Sequence, residues 1–134
     1  MTPNGELKKI LYVEDDTSIQ LVTRLALEDV GGLEVRVCSS GQEAIEMAAE
    51  FAPDLLLLDV MMPGLNGPDT LHQLRKLSAT VTTPAIFMTA KVQQQEVATL
   101  EQLPGTIGVI TKPFDPMTLA SQLREAWSHC QQQG

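Results

Sequence analysis

Four apolar segments of this 134-residue chain each end in polar side chains that could take part in chemistry. The residues at these ends are Glu14 with Asp15, Asp59, Thr89 and Lys112. If the four segments are strands of one open parallel sheet, their carboxyl ends lie along a single edge, where such sheets bind ligands. The sequence therefore predicts that acids, a hydroxyl and an ammonium group meet at one site.

The acidic residues of this predicted site need a positive charge close by. Two carboxylates about 4 Å apart repel each other by about 4 kcal/mol at an effective dielectric constant of about 20, so one takes up a proton or a cation neutralises both. Mg²⁺ is suitable, because it commonly binds one or two carboxylates together with waters and a substrate phosphate. Lys112 could contact a phosphoryl oxygen or pair with Asp59. Together with the Thr89 hydroxyl, these groups predict phosphoryl transfer, with one carboxylate as a nucleophile that becomes an acyl phosphate.

The elements that must position these residues alternate between apolar and amphipathic segments. The predicted strands are Lys9–Glu14, Leu33–Cys38, Asp54–Asp59, Ala85–Thr89 and Gly108–Thr111. The predicted helices are Ser18–Val30, Gly41–Phe51, Pro68–Leu77, Gln93–Leu103 and Pro116–His129. This alternation is typical of a doubly wound α/β domain, in which right-handed crossovers cover both faces of a parallel sheet.

Local signals add detail to the first and last helices. Ile19, Val22, Ala26 and Val30 form the stripe of the first helix that we expect to face the core. Asp16, Thr17 or Ser18 can cap its start. Pro116 is well placed to open the last helix.

Composition and charge exclude several classes of function. Nine basic against seventeen acidic residues give a net charge of -8, which argues against binding nucleic acid or an anionic membrane through the overall field. No apolar stretch approaches the roughly 20 residues that cross a bilayer, and the polar amino terminus is not a signal peptide. Cys38 and Cys130 lack the spacing of a metal or redox motif. We interpret both as packing residues, with a disulfide as the alternative, and expect a cytoplasmic protein.

Four fragments of the chain resemble the receiver domain of two-component response regulators, and they occur in the family's order. They are LYVEDD at 11–16, PDLLLLDVMMPGLNG at 53–67, FMTA at 87–90 and TKPF at 111–114. One such fragment is a weak signal, whereas four in order along nearly the whole chain are specific. The resemblance implies a flavodoxin-like fold with a five-stranded sheet of order 2-1-3-4-5.

The resemblance also implies roles for the residues around the acidic cluster. Asp59 looks like the phospho-acceptor. Asp15 looks like a direct ligand of Mg²⁺, Glu14 a ligand through water, and Asp59 with the backbone carbonyl of Met61 would complete the metal shell.

Thr89 and Lys112 look like the hydroxyl and ammonium that contact the phosphoryl group. The resemblance also implies a cis bond between Lys112 and Pro113. The chain departs from the family at Val109, three residues before the lysine, where many receivers carry the Tyr or Phe of a rotameric switch.

These observations predict one receiver domain over residues 9–130, with polar segments at 1–8 and 131–134. Its function would be phosphorelay signalling, in which Asp59 accepts a phosphoryl group from a sensor histidine kinase or a histidine phosphotransfer protein. A downstream output protein would then read the changed surface. We expect no turnover of external substrates, no direct contact with nucleic acid and no membrane insertion. The chain would be a stand-alone shuttle or adaptor, or a receiver excised from a larger regulator.

Other interpretations of the same residues remain open from the sequence. The acids could be a solvated strand end with a helix cap, or the domain could be a docking module that works without phosphorylation. A hydrolase with an aspartyl-phosphate intermediate typically has a second Asp two residues after the nucleophile, where this chain has Met61. A flavodoxin-like cofactor binder would need a loop that cradles phosphate after the first strand, where three acids would instead repel it.

Overall fold

The computed structural model describes residues 6–90 and 94–133, and it contains a five-stranded parallel sheet. The strands are β1 (Lys9–Val13), β2 (Glu34–Cys38), β3 (Leu55–Asp59), β4 (Ala85–Thr89) and β5 (Thr106–Thr111). Their order across the sheet is β2-β1-β3-β4-β5. This confirms the predicted doubly wound architecture and its strand order. The predicted strand bounds are correct to within two residues.

Five helices connect the strands and cover both faces of the sheet. They are α1 (Thr17–Arg24), α2 (Gly41–Phe51), α3 (Gly67–Leu74), α4 (Gln94–Glu101) and α5 (Leu119–Gln133). Core residues of α5, and of the segment that extends α1, pack on one face of the sheet, whereas α2, α3 and α4 pack on the other. Because both faces are covered, the central strands are mostly apolar, as parallel strands buried on two sides generally are, and β3 and β4 turn polar only at their last residues, Asp59 and Thr89.

The first helix differs from its predicted form. Helix α1 ends at Arg24, and the chain continues as a π-helical segment from Leu25–Val30. Its buried residues are Thr23, Ala26 and Leu27, whereas Val22 and Val30 of the predicted stripe are exposed. The expected stripe was therefore wrong at these two positions. The wider π turn changes the angular phase of the helix, so that Val30 points to solvent.

Three further helices differ from their predicted bounds. Helix α4 ends at Glu101 rather than Leu103, and its predicted first residue, Gln93, lies outside the described residues. Helix α3 ends at Leu74, whereas the sequence predicted a helix up to Leu77, and the residues between them form turns. Helix α5 starts at Leu119 rather than Pro116, since the Asp115 side chain accepts a hydrogen bond from the Met117 amide and holds a turn there. Helix α5 then continues through the residues that we predicted as a polar tail, up to Gln133.

Candidate functional site

The strand ends meet at one edge of the sheet, as the sequence predicted. Val13 is paired with Leu58, Asp59 with Met88, and Thr89 with Thr111, so the last residues of β1, β3, β4 and β5 lie side by side. Glu14 follows β1 directly, and its amide donates to the Cys38 carbonyl at 3.0 Å. The parallel register therefore brings the predicted site residues to the same edge.

Lys112 joins two buried carboxylates across this edge. Its Nζ lies 2.7 Å from Asp59 Oδ1 and 2.9 Å from Glu14 Oε1. Glu14 and Asp59 are only 1% and 4% exposed. The Lys112 amide donates to the Thr89 carbonyl at 2.8 Å, and the bond to Pro113 is cis. The lysine is thus fixed by its backbone to β4 while its side chain reaches the acids.

The pKa directions show that charge in this cluster is not fully balanced. Burial raises the pKa of Glu14 above its ordinary value, and hydrogen bonds from Lys112 and the Asp16 amide offset this only in part. Burial by itself would lower the pKa of Lys112, but its hydrogen bonds to Asp59 and Glu14 outweigh burial and raise it. The ammonium is therefore charged at neutral pH, while burial works against the charged form of Glu14, which a further cation would favour.

Three carboxylates form a group that fits such a cation. One oxygen each from Glu14, Asp15 and Asp59 lies within 4.8 Å of the other two. Asp15 is exposed, while its two partners are buried. Hard divalent cations such as Mg²⁺ prefer oxygen ligands of this kind and keep waters on the open side. The donor set thus has the right chemistry, with one exposed ligand facing solvent.

A pocket of about 220 Å³ opens above this group. Its lining includes the three carboxylates, Lys112, Met61 and Ala90. Met61 is 62% exposed, and Thr89 is buried at the end of β4 next to Ala90. The structure thus brings Glu14, Asp15, Asp59, Met61 and Lys112 to one pocket. Thr89 directly precedes Ala90, which also lines this pocket. Lys91, two residues after Thr89, lies outside the described residues.

Glycine shapes the loop that carries the acceptor. A Cβ on Gly67 would lie 2.5 Å from the Asp59 carbonyl oxygen, and the Gly67 amide donates to the Val60 carbonyl at 2.9 Å. Gly64 has a φ of 75°, a left-handed conformation that favours glycine. The loop after Asp59 can therefore fold back tightly onto the strand end, which explains the two glycines in the PGLNG fragment.

Asp16 does not belong to the metal-binding group. Its Oδ1 accepts hydrogen bonds from the Ser18 amide at 2.8 Å and the Ile19 amide at 3.2 Å. It is the N-cap of α1, one of the three residues expected there. One oxygen of this carboxylate is engaged by the helix start. Asp16 also lines the acidic pocket, but it is not one of the three carboxylates whose oxygens lie within 4.8 Å of one another.

Sequence reasoning missed an apolar groove next to the pocket. The groove has a volume of about 500 Å³ and lies between α1 and the loop after β5. Its lining residues are Ser18, Ile19, Val22, Ala90, Lys112, Pro113 and Phe114. The available signal was the apolar residues of α1, of which Ile19 and Val22 line the groove and Val22 is 43% exposed.

The fold and this edge of the sheet together define a class of phosphoryl-accepting signalling domain. The family model of the response regulator receiver domain matches residues 10–124. The chain therefore belongs to the receiver-domain family of two-component response regulators, the domains that act in phosphorelay signalling.

Curated relatives support the same assignment. The chain is 38% identical over 117 residues to the uncharacterized transcriptional regulatory protein YkoG of Bacillus subtilis, covering 87% of this chain and 50% of that protein. It is 36% identical over 118 residues to the phosphate regulon transcriptional regulatory protein PhoB of Pseudomonas aeruginosa, with 87% and 50% covered. The chain thus spans about half the length of the curated relatives it matches.

Solved structures agree with the fold. The chemotaxis response regulator CheY4 of Vibrio cholerae superposes with a TM-score of 0.81 at 29% identity, covering 90% of this chain and 98% of that chain. A putative response regulator from Chloroflexus aurantiacus gives 0.81 at 28% identity, with 92% and 99% covered. Among the described residues, no helix is long and apolar enough to cross a membrane.

Proposed function

We propose that Asp59 is the phospho-acceptor of this receiver and takes its phosphoryl group from a phosphohistidine. A new bond forms between an Asp59 carboxylate oxygen and phosphorus, the P–N bond of the donor breaks, and the leaving imidazole keeps the electron pair. The observation that carries this proposal is that Asp59 lies in the acidic pocket with the Lys112 ammonium 2.7 Å from its Oδ1.

Lys112 and Thr89 are the groups that we assign to the phosphoryl oxygens. Charge neutralisation and positioning supply most of the rate in phosphoryl transfer. Lys112 is a half-buried cation already oriented by Asp59 and Glu14, so it needs little reorganisation to contact a transferred group. Thr89 lies at the end of the neighbouring strand, from which its hydroxyl could donate to the same group.

Mg²⁺ is the cofactor that we propose for the acidic cluster. Glu14, Asp15 and Asp59 would hold it, with the Met61 carbonyl as a further ligand by analogy with the family. When bound, the ion would neutralise negative charge on the carboxylates and on the phosphoryl oxygens. The raised pKa of Glu14 supports the same proposal, because a buried acid of this kind is stabilised in its charged form by a nearby cation.

The apolar groove is where we propose that the phosphohistidine donor docks. The donor's imidazole must reach Asp59, and the groove shares Ile19, Ala90 and Lys112 with the acidic pocket. A partner surface that delivers phosphohistidine to the pocket would therefore also cover the groove. The apolar face of a helix of a sensor histidine kinase or phosphotransfer protein is the partner surface that we propose for this apolar groove.

The signal would leave through a downstream output protein, and we expect no turnover of external phosphate esters. Met61 occupies the position at which hydrolases with an aspartyl-phosphate intermediate place a general acid, and its thioether cannot donate a proton. A cytoplasmic location goes with the proposal, because response regulators are generally cytoplasmic. An adaptor that works without phosphorylation is not favoured, since it would not need the half-buried lysine and three acids together.

A melting experiment with Mg²⁺ tests the metal assignment. Mg²⁺ should raise the melting temperature of the wild-type protein, because only the folded state assembles the ligands. Asp15→Asn should lose most of this gain, whereas Asp69→Asn, an exposed acid in the first turn of α3, should keep it. Equal gains in wild type and Asp15→Asn would place the metal elsewhere.

A further inference from the structure

We propose that Gln20 is a positioning residue for the acidic loop of Glu14 and Asp15. The inference rests on the proposed function, because it assigns to Gln20 the task of orienting Asp15 for a cation. Gln20 is half-buried in the first turns of α1, and neither its residue type nor its spacing in the sequence pointed to the site.

The Gln20 carboxamide joins two loops. Its Nε2 donates to the Glu14 carbonyl at 2.5 Å and to Ser39 Oγ at 3.2 Å. Ser39 lies in the loop that follows β2, and the Ser39 amide donates to Glu43 Oε1 at 2.8 Å in the start of α2. One amide group therefore links the loop after β1 to the loop after β2. Because the Glu14 carbonyl can only accept a hydrogen bond, the Gln20 side-chain atom next to it is the amide nitrogen.

Gln20 also holds the same loop through its backbone. The Gln20 amide donates to the Asp16 carbonyl at 2.9 Å. The Asp16 amide in turn donates to Glu14 Oε2 at 3.2 Å. The peptide before Asp15 is thus held by the Gln20 side chain, and the peptide after Asp15 is held by the Glu14 carboxylate.

Asp15 depends on this backbone restraint because its side chain has no other. Within the described part of the chain, its exposed carboxylate forms no hydrogen bond or ion pair, unlike the Lys112-bound carboxylates of Glu14 and Asp59. The backbone therefore sets the direction in which the Asp15 side chain extends towards the cation site. On the amino-terminal side of Asp15, the carbonyl of the Glu14–Asp15 peptide accepts the hydrogen bond from Gln20.

Removal of the Gln20 donor should weaken cation binding without unfolding the domain. The Glu14–Asp15 peptide would sample more orientations, so that part of the binding free energy would go to ordering it. From the loss of one hydrogen bond, we expect the Kd for Mg²⁺ to rise about three- to tenfold. A purely structural role would instead lower the melting temperature of the metal-free protein and leave the Kd unchanged.

The test compares Gln20→Met with Gln122→Met by isothermal titration calorimetry with MgCl₂. Methionine keeps the length and helix propensity of glutamine but cannot donate a hydrogen bond. Gln122 is the matched control, since its Nε2 donates to Thr118 Oγ1 at 3.0 Å on the exposed side of α5. Melting curves without Mg²⁺ are recorded in parallel. The expected result is a raised Kd in Gln20→Met, an unchanged Kd in Gln122→Met and similar metal-free melting temperatures.

A second variant and a control keep the inference separate from the metal proposal. Ser39→Ala removes one acceptor of the same carboxamide and should raise the Kd by a smaller factor. If wild type binds Mg²⁺ and Asp15→Asn does not, while Gln20→Met and Ser39→Ala both bind as wild type does, the positioning role of Gln20 is refuted and the metal site stands. If wild type gives no saturable Mg²⁺ binding, the metal proposal itself fails, and the inference fails with it.

Discussion

Lys112 Nζ lies 2.7 Å from Asp59 Oδ1, although strand β4 separates β3 from β5. The lysine side chain therefore crosses the end of β4 to reach the acid. The Lys112 amide is bonded to the carbonyl of Thr89, the last residue of that strand. A change at Asp59 would therefore affect the ends of β3, β4 and β5 together. This relationship underlies the chemistry proposed for Asp59.

The lifetime of the acyl phosphate should depend on Met61. Hydrolysis needs a water in line with the Asp59–phosphorus bond, and the exposed Met61 thioether lines the pocket without orienting such a water. Met61→Asn should shorten the half-life of the phosphoprotein, because a carboxamide can hydrogen-bond a water. The measurement is the decay of phosphorylated protein after removal of the phosphodonor. Met117→Asn is the control, as Met117 is 68% exposed and lines neither pocket nor groove. An unchanged or longer half-life in Met61→Asn would argue against this role.

Activation should be read mainly from residues 90–103 rather than from Val109. Val109 is half-buried, β-branched and stiff at χ1, so its repacking provides little energy. Among its described side chains helix α4 buries only Leu100, fewer than α2, α3 or α5 bury, so it should be easier to displace than those three helices. Amide hydrogen exchange, with and without a phosphoryl mimic and Mg²⁺, should therefore change mostly in this segment. A large change centred on Val109, with α4 unaltered, would overturn the prediction.

The strand ends were predictable because parallel strands buried on both faces give unbroken apolar runs. The polar residues Asp59, Thr89 and Lys112 then mark where each run stops. The strand order came from the family resemblance rather than from the pattern itself. The N-cap at Asp16 was readable as one of three candidates, since capping depends on local hydrogen bonds.

What the sequence did not reveal depends on tertiary contacts. The π-helical turn after Arg24 changes which apolar side chains of the first helix are buried. No periodicity rule locates such a turn in advance. Gln20 and Ser39, whose hydrogen bond links two loops, are 19 positions apart. The apolar groove forms only when α1 and the loop after β5 are placed together. Such features follow from packing rather than from local propensity.

Arg75 should be important for stability far from the site. Its guanidinium donates to the carbonyls of Thr80 at 2.7 Å, Thr83 at 2.6 Å and Pro104 at 2.8 Å. Arg75→Ala removes the guanidinium from these carbonyls, of which Thr80 keeps a hydrogen bond from the Thr83 amide at 3.3 Å, and should lower the free energy of unfolding by about 2 kcal/mol. Urea denaturation measures the change. Arg24→Ala, which breaks only the solvent-exposed pair with Glu28, should cost less than about 0.5 kcal/mol. Equal effects of the two substitutions would refute the structural role of Arg75.

Cys38 should be unreactive in the folded protein and should make stability depend on alkaline pH. Burial raises the pKa of its thiol from 9.0 to about 12. Below pH 9 the thiol is protonated in both states, so its contribution to stability is complete. That contribution is lost as pH rises from 9 towards 12, because the unfolded state releases its proton first.

A thiol reagent at pH 8 provides the measurement for Cys38. The half-buried Cys130 should react readily, whereas Cys38 should react only after unfolding, since the thiolate is the reactive form. Cys38→Ala should flatten the fall in melting temperature between pH 9 and pH 11. Rapid modification of both thiols in the native protein would contradict the prediction.

The most direct test of the central claim is phosphoryl labelling of Asp59. The protein is incubated with Mg²⁺ and a small phosphodonor such as acetyl phosphate, and the intact mass and peptide masses are measured. Wild type should gain one acid-stable, base-labile phosphoryl group on the peptide that contains Asp59, and Asp59→Asn should gain none. Lys112→Ala should keep the fold but accept the group more slowly, because the cation next to the acceptor is gone. Labelling that persists in Asp59→Asn would contradict the account.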